Sequence, residues 1–202
     1  LLMVAHLNWL DPEITNLVPV LKSYWLMIHV AIITASYGFL SLGAILGLIS
    51  LWLIIFTSSD NKPKLKNTLS ELTIINEKTL EVGLFMLTIG TFLGGVWANE
   101  SWGRYWGWDP KETWALVSIL IYTFVLHMRF IPSLRNQLTF NIVSMFAIWT
   151  IIMTYFGVNY YLSGLHSYAA GDPMPIPTFI YYLLGLMFVT AILAKLRFKR
   201  NY

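Results

Sequence analysis

Apolar runs, separated by short polar stretches, dominate the chain. A helix needs about 20 apolar residues to cross the roughly 30 Å hydrocarbon layer. Five runs serve: 28–56, 80–97, 113–131, 138–157 and 178–196. Each is apolar on all faces rather than along one stripe, as a lipid-facing or bundle-interior helix must be. The pattern predicts an all-α fold, a polytopic transmembrane helix bundle forming a single membrane domain over 1–202. No soluble domain, internal repeat or low-complexity tract interrupts it. Two stretches stand apart. Residues 1–10 are apolar but short and read as the tail of a preceding span. Residues 69–78 carry Glu71, Glu77 and Lys78 among Leu and Ile and read as a helix lying at the interface.

Composition sharpens this. Of 202 residues, 57% are hydrophobic, 11% are charged and none is Cys. Soluble domains carry about 25% charge, so a soluble globule, a disordered chain and a disulfide scaffold are all excluded. The net charge of +3 is too small and too thinly spread to suggest nucleic acid. The chain opens at Leu1 with neither Met nor a basic n-region, which predicts the C-terminal part of a longer chain rather than a signal peptide. Charge placement gives orientation. Lys62, Lys64, Lys66, Lys78, Arg129, Arg135, Lys195, Arg197, Lys199 and Arg200 fall on one side, and only Lys22, Arg104 and Lys111 on the other. The positive-inside rule puts the larger set, with the C-terminus, in the cytoplasm. Residues 10–27, 97–112 and 158–177 are then external.

The external segment 97–112 holds Trp97, Trp102, Tyr105, Trp106 and Trp108, broken by Gly103 and Gly107. An aromatic belt at headgroup level is one explanation. A platform for a planar aromatic ligand is the other, because the cluster occupies one loop and its glycines allow close backbone approach. The run Asp109-Pro110-Lys111-Glu112 reads as a helix start. Asp suits the N-cap, Pro the first helical position, and Glu can close a capping box.

Four histidines, His6, His29, His127 and His166, lie in this apolar chain, and ionisable groups at membrane depth mark candidate sites. His29 and His166 fall on the side of the Trp segment. Two imidazoles flanking indoles, with no Cys present, suggest non-covalent bis-His haem ligation. Arg104 and Lys111 are the external cations near enough in sequence to meet propionates. His127 lies roughly 27 Å deeper, either as a lone interfacial histidine or as half of a second site completed from elsewhere. His6 has no supporting neighbours. Zinc would want Cys or a His-x-x-x-His pair, and hydrolytic nucleophile and phosphate-loop motifs are absent. Transport by broken helices stays open, because Gly90, Gly94 and Gly95 weaken the outer end of the second span.

Trp102-Gly-Arg-Tyr-Trp-Gly-Trp-Asp-Pro-Lys-Glu112 resembles the WWD signature of haem-handling proteins, in the form found in the CcsA-type branch. The segments around His29 (Leu17 to Val30) and His166 (Phe156 to Ala169) resemble that family's two external histidine segments, and Val125-Leu-His127-Met-Arg its transmembrane histidine. Tyr105 replaces the central Trp of the general pattern. The resemblance, covering Leu17 to Lys199, implies System II cytochrome c maturation. It implies haem b bound non-covalently, with His29 and His166 as axial ligands externally and His127 as one ligand of a membrane haem. Trp102, Gly103, Tyr105, Trp106, Trp108 and Asp109 are then expected to be cofactor-binding. Its implied partners are a CcsB-type protein or fused half holding the opposing membrane ligand, an apocytochrome c with its Cys-x-x-Cys-His motif, and a separate thiol reductant. The implied location is the bacterial cytoplasmic membrane, with the WWD segment on the periplasmic side. The expected activity is that of a cytochrome c synthase working by proximity, with loop-borne His166 the ligand more easily displaced. A haem exporter or chaperone forming no thioether, and a membrane b-type cytochrome, are the alternatives.

Overall fold

The computed structural model describes residues 23–57, 62–166 and 175–201; His6 lies outside them. Five helices are long and apolar enough to span a membrane, and among the described residues there is no strand. They are α1 (Tyr24–Phe56), α2 (Lys62–Trp102), α3 (Pro110–His127), α4 (Gln137–Ile152) and, after the π turn Met153–Gly157 and the short α5 (Val158–Tyr161), α6 (Thr178–Asn201). The chain is therefore a multi-pass helical membrane protein.

α1 and α2 form the central pair. The buried positions of α1 include Ser36, Leu40, Gly43, Gly47, Ser50 and Ile54, and those of α2 include Leu69, Asn76, Leu80, Gly83, Leu87, Gly90 and Trp97. Both sets advance by alternating steps of three and four, or by sevens, the spacing of a left-handed helix pair. Small residues let the backbones approach, since lipid offers helices no hydrophobic drive to associate. A Cβ on Gly47 would lie 2.7 Å from Ser144 Oγ and 2.8 Å from the Asn141 carbonyl, so that glycine is needed for α4 to close on α1. Asn76 Nδ2 donates to Asn141 Oδ1 (3.2 Å) and Ser144 Oγ (3.0 Å), and Asn141 Nδ2 donates to Thr73 Oγ1 (2.9 Å). These bonds, the first two fully buried, join α2 to α4.

The interfacial segment expected at 69–78 is part of α2, which runs without a break from Lys62 to Trp102. No proline or glycine interrupts 64–82, and the heptad seam continues down through Asn76 to Leu69. At 1.5 Å per residue α2 is about 60 Å long, about twice the hydrocarbon thickness. Its charged first turns therefore project beyond the membrane. Further along the same helix Glu77 pairs with Arg129, and Lys78 with Glu81 at 2.8 Å.

Candidate functional site

The start of α1, the end of α2, the start of α3 and the segment after α5 meet at one end of the bundle. α2 stops at Trp102 because Gly103 adopts φ 70° and its N–H bonds back to the Asn99 carbonyl at 2.9 Å, a left-handed helix stop. α3 restarts at a complete capping box. Asp109 accepts from the Lys111 N–H at 3.2 Å, Glu112 accepts from the Asp109 N–H at 3.1 Å, and Pro110 holds the first helical position. Between them Glu112 also accepts from the Gly107 N–H at 2.8 Å. Trp108 is held at φ 58° and is 69% exposed. A bulky residue in that region costs about 1–3 kcal/mol, and so exposed an aromatic returns little burial. Neither feature serves stability.

A cavity of about 190 Å³ opens at this end. Its walls bring together His29 from α1, Gly94 and Trp97 from α2, Tyr105 and Trp106 from the loop, Lys111 from α3 and His166. Tyr37 and Tyr155, the latter on the π turn, line it as well. The His29 ring stacks on Trp97 at 6.4 Å with a 10° tilt, and the His166 ring meets Trp97 edge-on at 5.6 Å. Trp102 packs on Trp97 at 4.7 Å and on His166 at 4.9 Å. Trp106 and Trp108 form a separate T-shaped pair at 5.7 Å. The indoles thus form two groups, Trp97 with Trp102 and Trp106 with Trp108, rather than one flat tray. Trp102, Gly103, Trp108 and Asp109 support or rim the cavity without lining it.

His29 Nδ1 lies 2.7 Å from the Gly90 carbonyl, and His166 Nδ1 lies 2.8 Å from Asp109 Oδ2. Both partners only accept, so each Nδ1 carries the proton and each Nε2 keeps its lone pair. Burial pushes the Asp109 carboxyl up, but hydrogen bonds from His166 and from the Lys111 and Leu165 N–H groups outweigh it and hold the group below its ordinary value. Burial pushes the His166 imidazole below its ordinary value, against the pull of the carboxylate. The pair is a neutral imidazole donating to a carboxylate. Asp109 also accepts from the Leu165 N–H at 2.6 Å, which clamps the histidine segment onto the start of α3. Gly164 permits this contact, since a Cβ there would lie 2.8 Å from Pro110 Cδ.

His127 is not part of this site. It ends α3, about 26 Å from Pro110, and is exposed on the helix surface. Its Nδ1 donates to the Thr123 carbonyl at 2.7 Å and its ring tilts against Phe130 at 5.8 Å. Sequence reasoning overlooked Trp97 as a partner of both rings, and with it Gly90, Gly94 and Tyr155. Trp97 carried a signal as a member of the Trp cluster, and Gly90 and Gly94 only as weak points of the second span; Tyr155, 11 residues before His166, carried none.

Residues 1–166 match the family described as cytochrome c assembly protein. The chain is 56% identical over 171 residues to Protein NrfI of Wolinella succinogenes, covering 85% of this chain and 19% of that protein. It is 36% identical over 214 residues to the cytochrome c biogenesis protein CcsA of Cyanophora paradoxa, covering 83% of this chain and 66% of that one. Against CcsA of Chlamydomonas reinhardtii it is 41% identical over 157 residues, 77% of this chain and 44% of the relative. The chain thus spans a fifth to two thirds of the length of these curated relatives. By its sequence match and its helical membrane architecture, the chain belongs to the cytochrome c assembly protein family, in its CcsA-type branch.

Proposed function

We propose that this chain is the haem-handling part of a cytochrome c maturation protein. It binds haem b non-covalently at the Trp-rich end, with His29 and His166 as axial ligands, and presents it to the Cys-x-x-Cys-His motif of an apocytochrome c. The observation that carries this reading is the tautomer of the two imidazoles. Metal-binding histidines characteristically donate their other N–H to a carbonyl or carboxylate, as His29 does to Gly90 and His166 to Asp109. Indole walls and a cationic side chain complete a donor set suited to a porphyrin. The cavity volume of about 190 Å³ is below the about 300–1,000 Å³ of sites that enclose their ligands. The exposed rim of Tyr105 and Trp108 therefore fits a site that displays its ligand to a second protein.

The haem supplies the vinyl groups to which the client's thiols add. The chain's own residues do the positioning. His29, fixed within α1, and His166, on the segment clamped by Asp109, would hold the iron. The cap at Asp109 keeps the Trp loop and the histidine segment in register. Proximity of this kind accounts for much of the rate of an assisted bimolecular step. The asymmetry of Lys and Arg supports placing this end on the periplasmic face of the bacterial cytoplasmic membrane, with the C-terminus in the cytoplasm. A thiol-reducing partner would keep the client's thiols reduced.

The test is the absorption spectrum of the full-length protein purified from its membrane. A low-spin, bis-imidazole spectrum is expected, and His29→Ala and His166→Ala should each convert it to one that added imidazole restores. Unaltered spectra in both variants would sink the assignment. Covalent haem on a co-expressed apocytochrome separates a synthase from a haem chaperone.

A further inference from the structure

The two cations at this end of the bundle are not equivalent. Arg104 is engaged within the loop: its guanidinium lies 3.7 Å from the Glu112 carboxylate and 5.9 Å above the Trp102 ring, and it does not line the cavity. Lys111 lines the cavity alongside His29 and His166. Its Nζ donates to a neutral acceptor, Asn159 Oδ1, at 3.0 Å. The nearby carboxylates are committed elsewhere. Asp109 serves the Lys111 and Leu165 N–H groups and the His166 ring, and Glu112 serves the Gly107 and Asp109 N–H groups and Arg104. Among the described residues no carboxylate lies within ion-pair distance of Lys111 Nζ. An ammonium drawn partly out of water without a counter-ion is costly to hold, and an incoming carboxylate removes that cost.

We propose that Lys111 is the anchor for a carboxylate of the ligand, with Asn159 holding the ammonium in place, and that the cavity thereby selects porphyrins with a free propionate. The assignment rests on the reading of the cavity as a haem site. It adds an orientation: the carboxylate edge of the ring is drawn to the start of α3, beside Asn159. The opposite edge is left for the client.

The test compares haem b with its dimethyl ester, titrated into the full-length protein and followed by the Soret shift. The unaltered protein should bind haem about ten- to a hundredfold more tightly than the ester, the worth of one charge-assisted bond. Lys111→Met should lose that preference, and Lys111→Arg should keep most of it. Comparing the ratio between proteins cancels the partitioning of the more apolar ester into detergent. Equal affinity of the unaltered protein for both, each with an imidazole-ligated spectrum, overturns the role of Lys111 and leaves the histidines standing. A preference retained in Lys111→Met overturns it too. No imidazole-ligated spectrum with either compound overturns the haem reading itself. If the Met variant does not fold, Lys111→Gln supplies the same comparison of ratios.

Discussion

Asp109 does three jobs with two oxygens: it caps α3, clamps the Leu165 N–H and fixes the His166 tautomer. Oδ2 accepts from both the Lys111 N–H and His166 Nδ1–H, and Oδ1 from the Leu165 N–H, so the cap and the tautomer share one atom. The substitution Asp109→Ala removes all three contacts at once. The expected outcome is a stability loss of about 1–3 kcal/mol from the lost cap and polar contacts, and a His166 proton no longer held on Nδ1, so that the form with the proton on Nε2, the atom a metal would need, becomes populated. Nitrogen-15 shifts of the labelled imidazole, read alongside thermal unfolding in detergent, check both halves. An unchanged tautomer would refute the orienting role. The capping box was legible in Asp109-Pro-Lys-Glu112 because it is written in adjacent residues. The bond from Asp109 to His166 was not, because it joins residues 57 positions apart whose meeting depends on how α3 and α4 pack.

Among the helices, the polar contact joining Asn76, Asn141 and Ser144 sits where three elements converge and where Gly47 has no room to grow. Gly47→Val puts a branched side chain into the Ser144 hydroxyl and the Asn141 carbonyl. It should cost about 1–3 kcal/mol of stability by overpacking. Gly38→Ala, where a Cβ meets nothing within 4 Å, should be neutral or slightly stabilising. Unfolding in mixed detergent compares the two; equal effects would show that the α1–α4 contact is looser than described. The five apolar runs identified the spanning helices because length and hydropathy decide them locally. They understated α2, since the charges of 71–78 suggested an interface when the buried seam simply continues through Asn76. The π turn Met153–Gly157 left no mark in the sequence. A π turn carries one residue more than an α turn, and this one lies where the Thr154 hydroxyl, bonded to the Thr150 carbonyl at 2.7 Å, meets Ser118 Oγ at 3.1 Å.

Across the whole molecule, three histidines share one local habit, a tied Nδ1–H and an open Nε2, yet they sit at two ends of the bundle. The pair at the Trp-rich end shares one cavity. His127 faces outward at the far end, with no second histidine beside it among the described residues, and we propose it as one ligand of a second haem whose other ligand is not among them. His127→Ala should therefore leave haem bound at the Trp-rich end spectrally unchanged, while lowering the total haem carried by the full-length protein. Haem-to-protein ratio and low-temperature spectra measure this, and loss of the His29/His166 signature in that variant would contradict the separation of the two levels. The charge asymmetry was legible at this scale because it needs only a count along the chain. The cavity was not, because its walls come from six separate segments.

One contact on α2 bears on descent. A methyl group at Gly94 would lie 2.6 Å from His29 Cε1 and 2.8 Å from its Nδ1, so the imidazole occupies the space that a side chain at 94 would fill. The two positions are therefore sterically coupled. A lineage that enlarges residue 94 must forfeit the histidine at 29 or turn it out of the cavity, and a lineage that discards that histidine is free to fill the gap.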